Sequence, residues 1–315
     1  MNLNYLLRIL VAIFAIYLLV RLSNTEQVFH AVGKASLFWV LIGVVVFLAG
    51  QLIASQRWRL VLLIGGVDLP PISVYKLHLI GIFSSNFLPG QATGDVIKAM
   101  FLFDSYPDRK SFLIASVVYD RLLGLFALLT LALVASGVLA LRDMDPTIML
   151  FVFGGFLVLL IIVIASRQIN RLAPLVELLG SRSARGFTGF SNGLSELLRL
   201  RKLALSSFSL GLMFQLSWAI CLFLMSWAVS PGMYLLPVLI AAPLAVLVAS
   251  LPISIGGLGV REGAFVLIMQ QLGVNAEVAA AAALLAILPL LFASIVGAII
   301  LHKYDRFHYS KEANL

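Results

Sequence analysis

Apolar runs recur along the whole of this chain, and their lengths decide what it can fold into. Six reach or approach the roughly 20 residues that an α-helix needs to cross a bilayer. They are Tyr5–Val20, Leu37–Ser55, Phe112–Leu141, Ile148–Ser166, Leu203–Val229 and Val278–Leu301. Four are shorter and come as two pairs: Ile72–Leu88 with Val96–Phe103, and Tyr234–Ser250 with Ala264–Leu272. Proline and glycine break the helix between the members of each pair, in Asn86-Phe-Leu-Pro-Gly-Gln-Ala-Thr-Gly-Asp-Val96 and in Leu251-Pro-Ile-Ser-Ile-Gly-Gly-Leu-Gly-Val-Arg-Glu-Gly263. Irregular backbone is tolerated at membrane depth only where protein or a wet cavity surrounds it. The two breaks therefore mark the candidate working site.

Composition agrees with this class. The chain is 62% hydrophobic and 11% charged, where a soluble domain carries roughly 25% charged residues. Its net charge of +8 matches basic loops on the inner side of a membrane, and no nucleic-acid-binding motif accompanies it. Cys221 is a single cysteine in an apolar run, and His30, His78, His302 and His308 lack metal-ligand spacing. There is no GxxxxGK[ST] loop and no Ser-His-Asp order. The sequence thus calls for no cofactor, metal or ATP. The N-terminal run has no small-residue cleavage site after it and reads as a retained first span.

Counting basic residues sets the topology. Residues 167–202 form a basic segment, expected to be cytoplasmic with amphipathic helices on the lipid headgroups. With each short pair taken as a re-entrant hairpin, sixteen of the 22 Lys and Arg fall inside, among them Arg57, Arg59 and Lys76. Three fall outside (Arg21, Lys34 and Arg142), and Lys98, Arg121 and Arg261 stay in the membrane. Trp58 reads as an interface anchor and Pro289 as a kink in the last span. The expected fold is an all-α polytopic membrane protein of six spanning helices and two re-entrant helical hairpins. It forms one membrane domain over 1–315, built as an inverted repeat of 1–147 and 148–315, as in many secondary transporters. Leu88-Pro89 matches Leu251-Pro252, and Gly94 matches Gly259.

Ionisable residues at membrane depth cost about 2.5–3.5 kcal/mol each on insertion scales, so they need partners or a purpose. Asp95, Lys98, Asp120, Arg121, Arg261 and Glu262 are such residues. One role is structural: buried ion pairs that hold the hairpins to their neighbours, with Lys98 or Arg261 as the expected partner of Asp120. The other is recognition. Thr93 or Asp95 caps the short helix expected near Val96, and Gly256, Gly257 and Gly259 let backbone approach a ligand. Arg261 beside a helix N-terminus suits phosphate or carboxylate, and Arg121 faces the cavity near the midplane. Asp95, Asp120 and Glu262 balance charge or carry protons. Asn86 and Gln91 either bond a headgroup or satisfy the broken backbone.

The two breaks, together with Tyr119-Asp-Arg-Leu-Leu-Gly124, resemble the membrane region of lysylphosphatidylglycerol synthases over nearly the whole chain. The resemblance implies a lipid translocase (flippase-like) fold. The chain ends at Leu315, so the expectation is a stand-alone member without the soluble aminoacyl-transferase domain. The function expected is transfer of a phospholipid or lipid-linked headgroup across the membrane. Two alternatives stand beside it: a membrane-embedded glycosyl or phosphoryl transferase on a polyprenyl phosphate, and an accessory subunit of a lipid synthase. The partner is a membrane lipid and not nucleic acid, with a homo-oligomer or a lipid-synthase partner left open. The expected location is the bacterial cytoplasmic membrane, with both termini cytoplasmic.

Overall fold

The computed structural model describes residues 25–87, 93–141, 147–166, 181–250 and 257–303. Every regular element among them is helical: α1 (Thr25–Gly33), α2 (Leu37–Ile64), α3 (Pro71–Phe87), α4 (Thr93–Met100), α5 (Lys110–Ala140), α6 (Thr147–Ser166), α7 (Ser181–Arg199), α8 (Arg201–Val229), α9 (Leu235–Ala249), α10 (Val260–Gln271), α11 (Ala276–Leu285) and α12 (Ile287–His302). Four rods are long and apolar enough to cross a membrane: Leu37–Ile64, Pro107–Ala140, Arg201–Val229 and Ala276–His302. Even the 27 residues of the last extend about 40 Å at 1.5 Å per residue. The predicted run Tyr5–Val20 lies outside the described residues. Helix α6 has 20 residues and exposes Leu150, Phe153, Leu157 and Ile161.

The last rod is broken where proline dictates. Pro289 has no N–H to give to Leu285, and Ala286 separates α11 from α12. Helix α2 departs from the sequence reading. It continues past Ser55 to Ile64, because Leu60-Val-Leu-Leu-Ile64 resumes the apolar run after Arg59. Arg57 and Trp58 are consequently buried rather than lying in a loop and at the interface. Arg57 leaves the count of inner-loop charges and joins those that need a partner.

The shorter helices sit in contact as α3 with α4 and α9 with α10. Helix α4 begins at Thr93, three residues before the expected start, so Asp95 lies in its first turn instead of capping it. Glycines set the closest approaches: a Cβ on Gly94 would run into the Gly81 carbonyl oxygen, and one on Gly297 into that of Leu79. Helices α3 and α4, and α3 and α12, thus meet backbone to backbone, as small residues permit. Helices α2 and α8 share the most extensive interface, where Phe47 meets Trp218 edge-on at 5.7 Å.

Helix α7, expected to lie at the lipid headgroups, docks one face on α5. Gly189 abuts Ser111 and Gly193 abuts Phe112 and Ala115, while Leu194, Leu197 and Leu198 are buried beside them. An amphipathic pattern needs an apolar surface opposite it, and here a neighbouring helix supplies one.

Candidate functional site

A cavity of about 310 Å³ opens where the two short-helix pairs meet the long rods, at the lower end of the volumes that hold small ligands. Helix α2 contributes Gln51, Ala54 and Arg57, spaced to share one helical face. Helix α3 brings His78 and Asn86, α4 brings Asp95, α5 brings Asp120 and Arg121, α8 brings Gln215 and Trp218, and α10 brings Arg261.

Charge on the α4 side forms a chain across three helices. Arg57 holds Asp120 with two bonds, Nε to Oδ1 at 2.7 Å and Nη2 to Oδ2 at 3.2 Å. Lys98 Nζ lies 2.8 Å from Asp95 Oδ1 and 3.8 Å from Asp120 Oδ2. Arg121 Nε pairs with Asp95 Oδ2. Trp58 supports the chain from behind: Lys98 Nζ sits 4.5 Å from its ring centre, and its indole N–H donates to Ser116 Oγ at 3.1 Å. The network fastens α2, α4 and α5 to one another. A fork-like guanidinium suits such a paired contact, and full pairing is the condition under which buried charge is tolerated.

Charge on the α10 side is local. Arg261 Nε donates to Oε1 of its neighbour Glu262 at 2.9 Å, and the guanidinium stacks over Trp218 with 4.9 Å to the ring centre. Glu262 Oε2 accepts the N–H of Gly259 at 2.7 Å, the one half of a capping box that a glycine N-cap allows, and this ties the carboxylate to its own helix N-terminus. Gly257 and Gly259 adopt φ of 76° and 80°, conformations that a side chain disfavours, and so turn the chain into α10.

The structure gathers most of the residues singled out from sequence. Asn86, Asp95, Asp120, Arg121 and Arg261 line the cavity, while Lys98 and Glu262 are buried behind them and hold their partners. Gly257 and Gly259 shape the turn. Gly256 and Gln91 lie outside the described residues. Two pairings depart from expectation. Asp120 takes Arg57 as its main partner, with Lys98 at longer range and without Arg261. Asn86 donates to Ser294 Oγ on α12 at 2.7 Å.

Sequence reasoning missed Arg57, Trp58, Gln51, His78 and Trp218. His78 Nε2 lies 3.0 Å from Gln51 Oε1, one helix away. A signal existed: Gln51 and Arg57 interrupt an apolar run that continues on both sides of them, and a charge within such a run is a functional candidate by default.

Two comparisons with known proteins bear on identity. The chain is 23% identical over 163 residues to a UPF0104 membrane protein of Pyrococcus horikoshii, covering 51% of this chain and 48% of the relative. The matched region thus spans about half the length of that curated relative. A family model described as the lysylphosphatidylglycerol synthase TM region matches residues 5–297. With its apolar rods, its broken helix pairs and this match over nearly its full length, the chain belongs to the lysylphosphatidylglycerol synthase TM region family and is a multi-pass membrane protein.

Proposed function

We propose that the protein is a lipid translocase that moves a phospholipid or lipid-linked headgroup through the central cavity while the tails remain in the bilayer. The observation that carries this reading is the cavity itself. It is lined by Arg57, Asp95, Asp120, Arg121 and Arg261, in a chain whose surrounding rods are long enough to span. A charged headgroup crossing the hydrocarbon needs a polar, charge-balanced path. The carboxylates are held by cations or a backbone amide. That supports transport over a transferase, which needs a carboxylate available to a metal or as a base.

The architecture proposed with it has six spans and two re-entrant hairpins, α3–α4 and α9–α10, in an inverted repeat. The packing supports this reading, because contacts come in matched sets when α2, α3, α4 and α5 are paired with α8, α9, α10 and the α11–α12 rod. Helix α2 touches α3 as α8 touches α9. Helix α4 touches α5 as α10 touches α11, and α3 touches α12 as α9 touches α5. The contact between α2 and α8 maps onto itself. On this reading both termini are cytoplasmic, in a bacterial inner membrane. Ser105 faces the cytoplasm and Asn275 the opposite side, so single cysteines there, in a Cys221→Ala background, should react with impermeant reagents from opposite sides. Labelling of both from one side refutes the inverted arrangement.

Purified protein reconstituted into vesicles should speed the transbilayer movement of fluorescent phospholipids, read by dithionite quenching. A rate equal to that of protein-free vesicles, for phospholipid and polyprenyl-phosphate probes alike, refutes the function.

A further inference from the structure

The polar groups of the cavity are not evenly satisfied. Among the described residues, Arg57 Nη1 and Trp218 Nε1 are buried and make no hydrogen bond. Both residues line the cavity and are more than nine-tenths buried. A buried donor without an acceptor is costly, more so on a charged group, and its persistence needs a reason. Glycines on α5 and α8 make room for Nη1 itself: Cβ atoms on Gly124 and Gly211 would lie 3.2 and 3.3 Å from it.

Acceptors show the opposite pattern. Asp95 is taken by Lys98 and Arg121, Asp120 by Arg57, and Glu262 by Arg261 and the Gly259 amide. Within this set four cations face three carboxylates, leaving one positive charge in excess. Residues 88–92 and 251–256, which complete the two breaks, contain no charged side chain. The cavity therefore has donors to spare and an excess of positive charge.

We propose that the cavity selects an anionic, phosphate-bearing lipid headgroup and rejects a cationic one, and that Arg57 is the specificity-determining residue. The proposal rests on the translocase reading for its setting and adds the sign of the cargo. Arg57 uses Nε and Nη2 to grip Asp120 and offers Nη1 to a phosphate oxygen once the cavity opens to admit it. An ammonium headgroup would meet four cations with no carboxylate to spare, and like-charge juxtaposition inside a low-dielectric site is strongly unfavourable.

The test is binding, measured apart from transport. Thermal unfolding of the full chain in neutral detergent is followed against three short-chain lipids: phosphatidylglycerol, geranylgeranyl phosphate and a diacyl trimethylammonium propane. At least one of the two phosphate lipids should raise the midpoint, with an apparent Kd roughly ten-fold or more below that of the cationic lipid, the scale of one charge-assisted hydrogen bond. The tighter of the two identifies the source of the phosphate. The double variant Arg57→Gln/Asp120→Asn replaces the charged spare donor with a neutral amide and keeps the one-charge excess. The phosphate lipid should then bind about ten-fold more weakly, while binding of the cationic lipid stays unchanged and the preference shrinks by that factor. Equal or tighter binding of the cationic lipid, no shift with either phosphate lipid, or a preference unchanged in the double variant overturns the proposal. A clear preference in protein that moves no lipid in vesicles overturns the translocase reading instead.

Discussion

The two short-helix pairs bring charge to the same cavity in different ways. On the α4 side, five ionised groups from α2, α4 and α5 hold one another across 63 residues of sequence between Arg57 and Asp120. On the α10 side, Arg261 and Glu262 are sequence neighbours, and the carboxylate caps its own helix. The first arrangement can be broken only by pulling helices apart or leaving a charge unpaired. The second is carried by α10, with the stacking of Arg261 on Trp218 of α8 as its contact to another helix. Fastening and cavity lining therefore fall on the same residues in the first cluster, whereas in the second Arg261 lines the cavity and Glu262 is held behind it.

The largest effect expected from this difference falls on Asp120. Asp120→Ala leaves Arg57 without its partner and Lys98 with only Asp95, and removal of one member of a buried pair costs about 3–5 kcal/mol. Thermal unfolding in detergent should show a loss of that order, and pairing Asp120→Asn with Arg57→Gln should recover most of it. Additive losses in that cycle would mean that the two side chains are not coupled.

Next in size is Gly94→Ala. The added methyl meets the Gly81 carbonyl, and overpacking of this kind costs about 1–3 kcal/mol. The comparison partner is Gly263 on α10, where a Cβ meets nothing within 4 Å. Gly263→Ala should leave stability unchanged or raise it by about 0.5–1 kcal/mol through helix propensity. Equal losses at both glycines would contradict the close contact of α3 and α4.

A stability loss smaller than that at Asp120 is expected at Arg261. In Arg261→Ala, buried Glu262 loses its cation but keeps the Gly259 amide and its own helix N-terminus as partners, so the melting temperature should fall less than in Asp120→Ala while lipid transport falls sharply. Arg261→Lys should recover only part of the transport, since a planar fork is replaced by a point charge. Normal transport at normal stability in the alanine variant would remove Arg261 from the path.

Helix content, the two breaks and most of the cavity charges could be read from the sequence because each is local: run length, a Pro-Gly cluster, an ionisable residue in an apolar segment. What stayed hidden depends on distant partners. Arg57 and Trp58, near the end of an apolar run, carry the same local signature whether they end in headgroups or in the core. Only Asp120 and Ser116 on α5 decide between the two. Asn86 finds Ser294 208 positions away, a distance at which no spacing rule operates. The docking of α7 was partly legible, since Gly189 and Gly193 are four residues apart, the spacing that lets two helices approach closely. An amphipathic face by itself does not say whether lipid or protein will cover it.

The central claim, that charged groups of this cavity carry a headgroup and do not merely brace the fold, is tested most directly by one pair of readings on Arg57→Gln/Asp120→Asn. Melting temperature and transbilayer movement of a fluorescent phospholipid are measured beside wild-type protein and protein-free vesicles. The account predicts that wild type exceeds the protein-free rate, and that the double variant regains most of the stability lost in Asp120→Ala yet stays near the protein-free rate. Wild type no faster than protein-free vesicles, or a double variant that transports as fast as wild type, would contradict it.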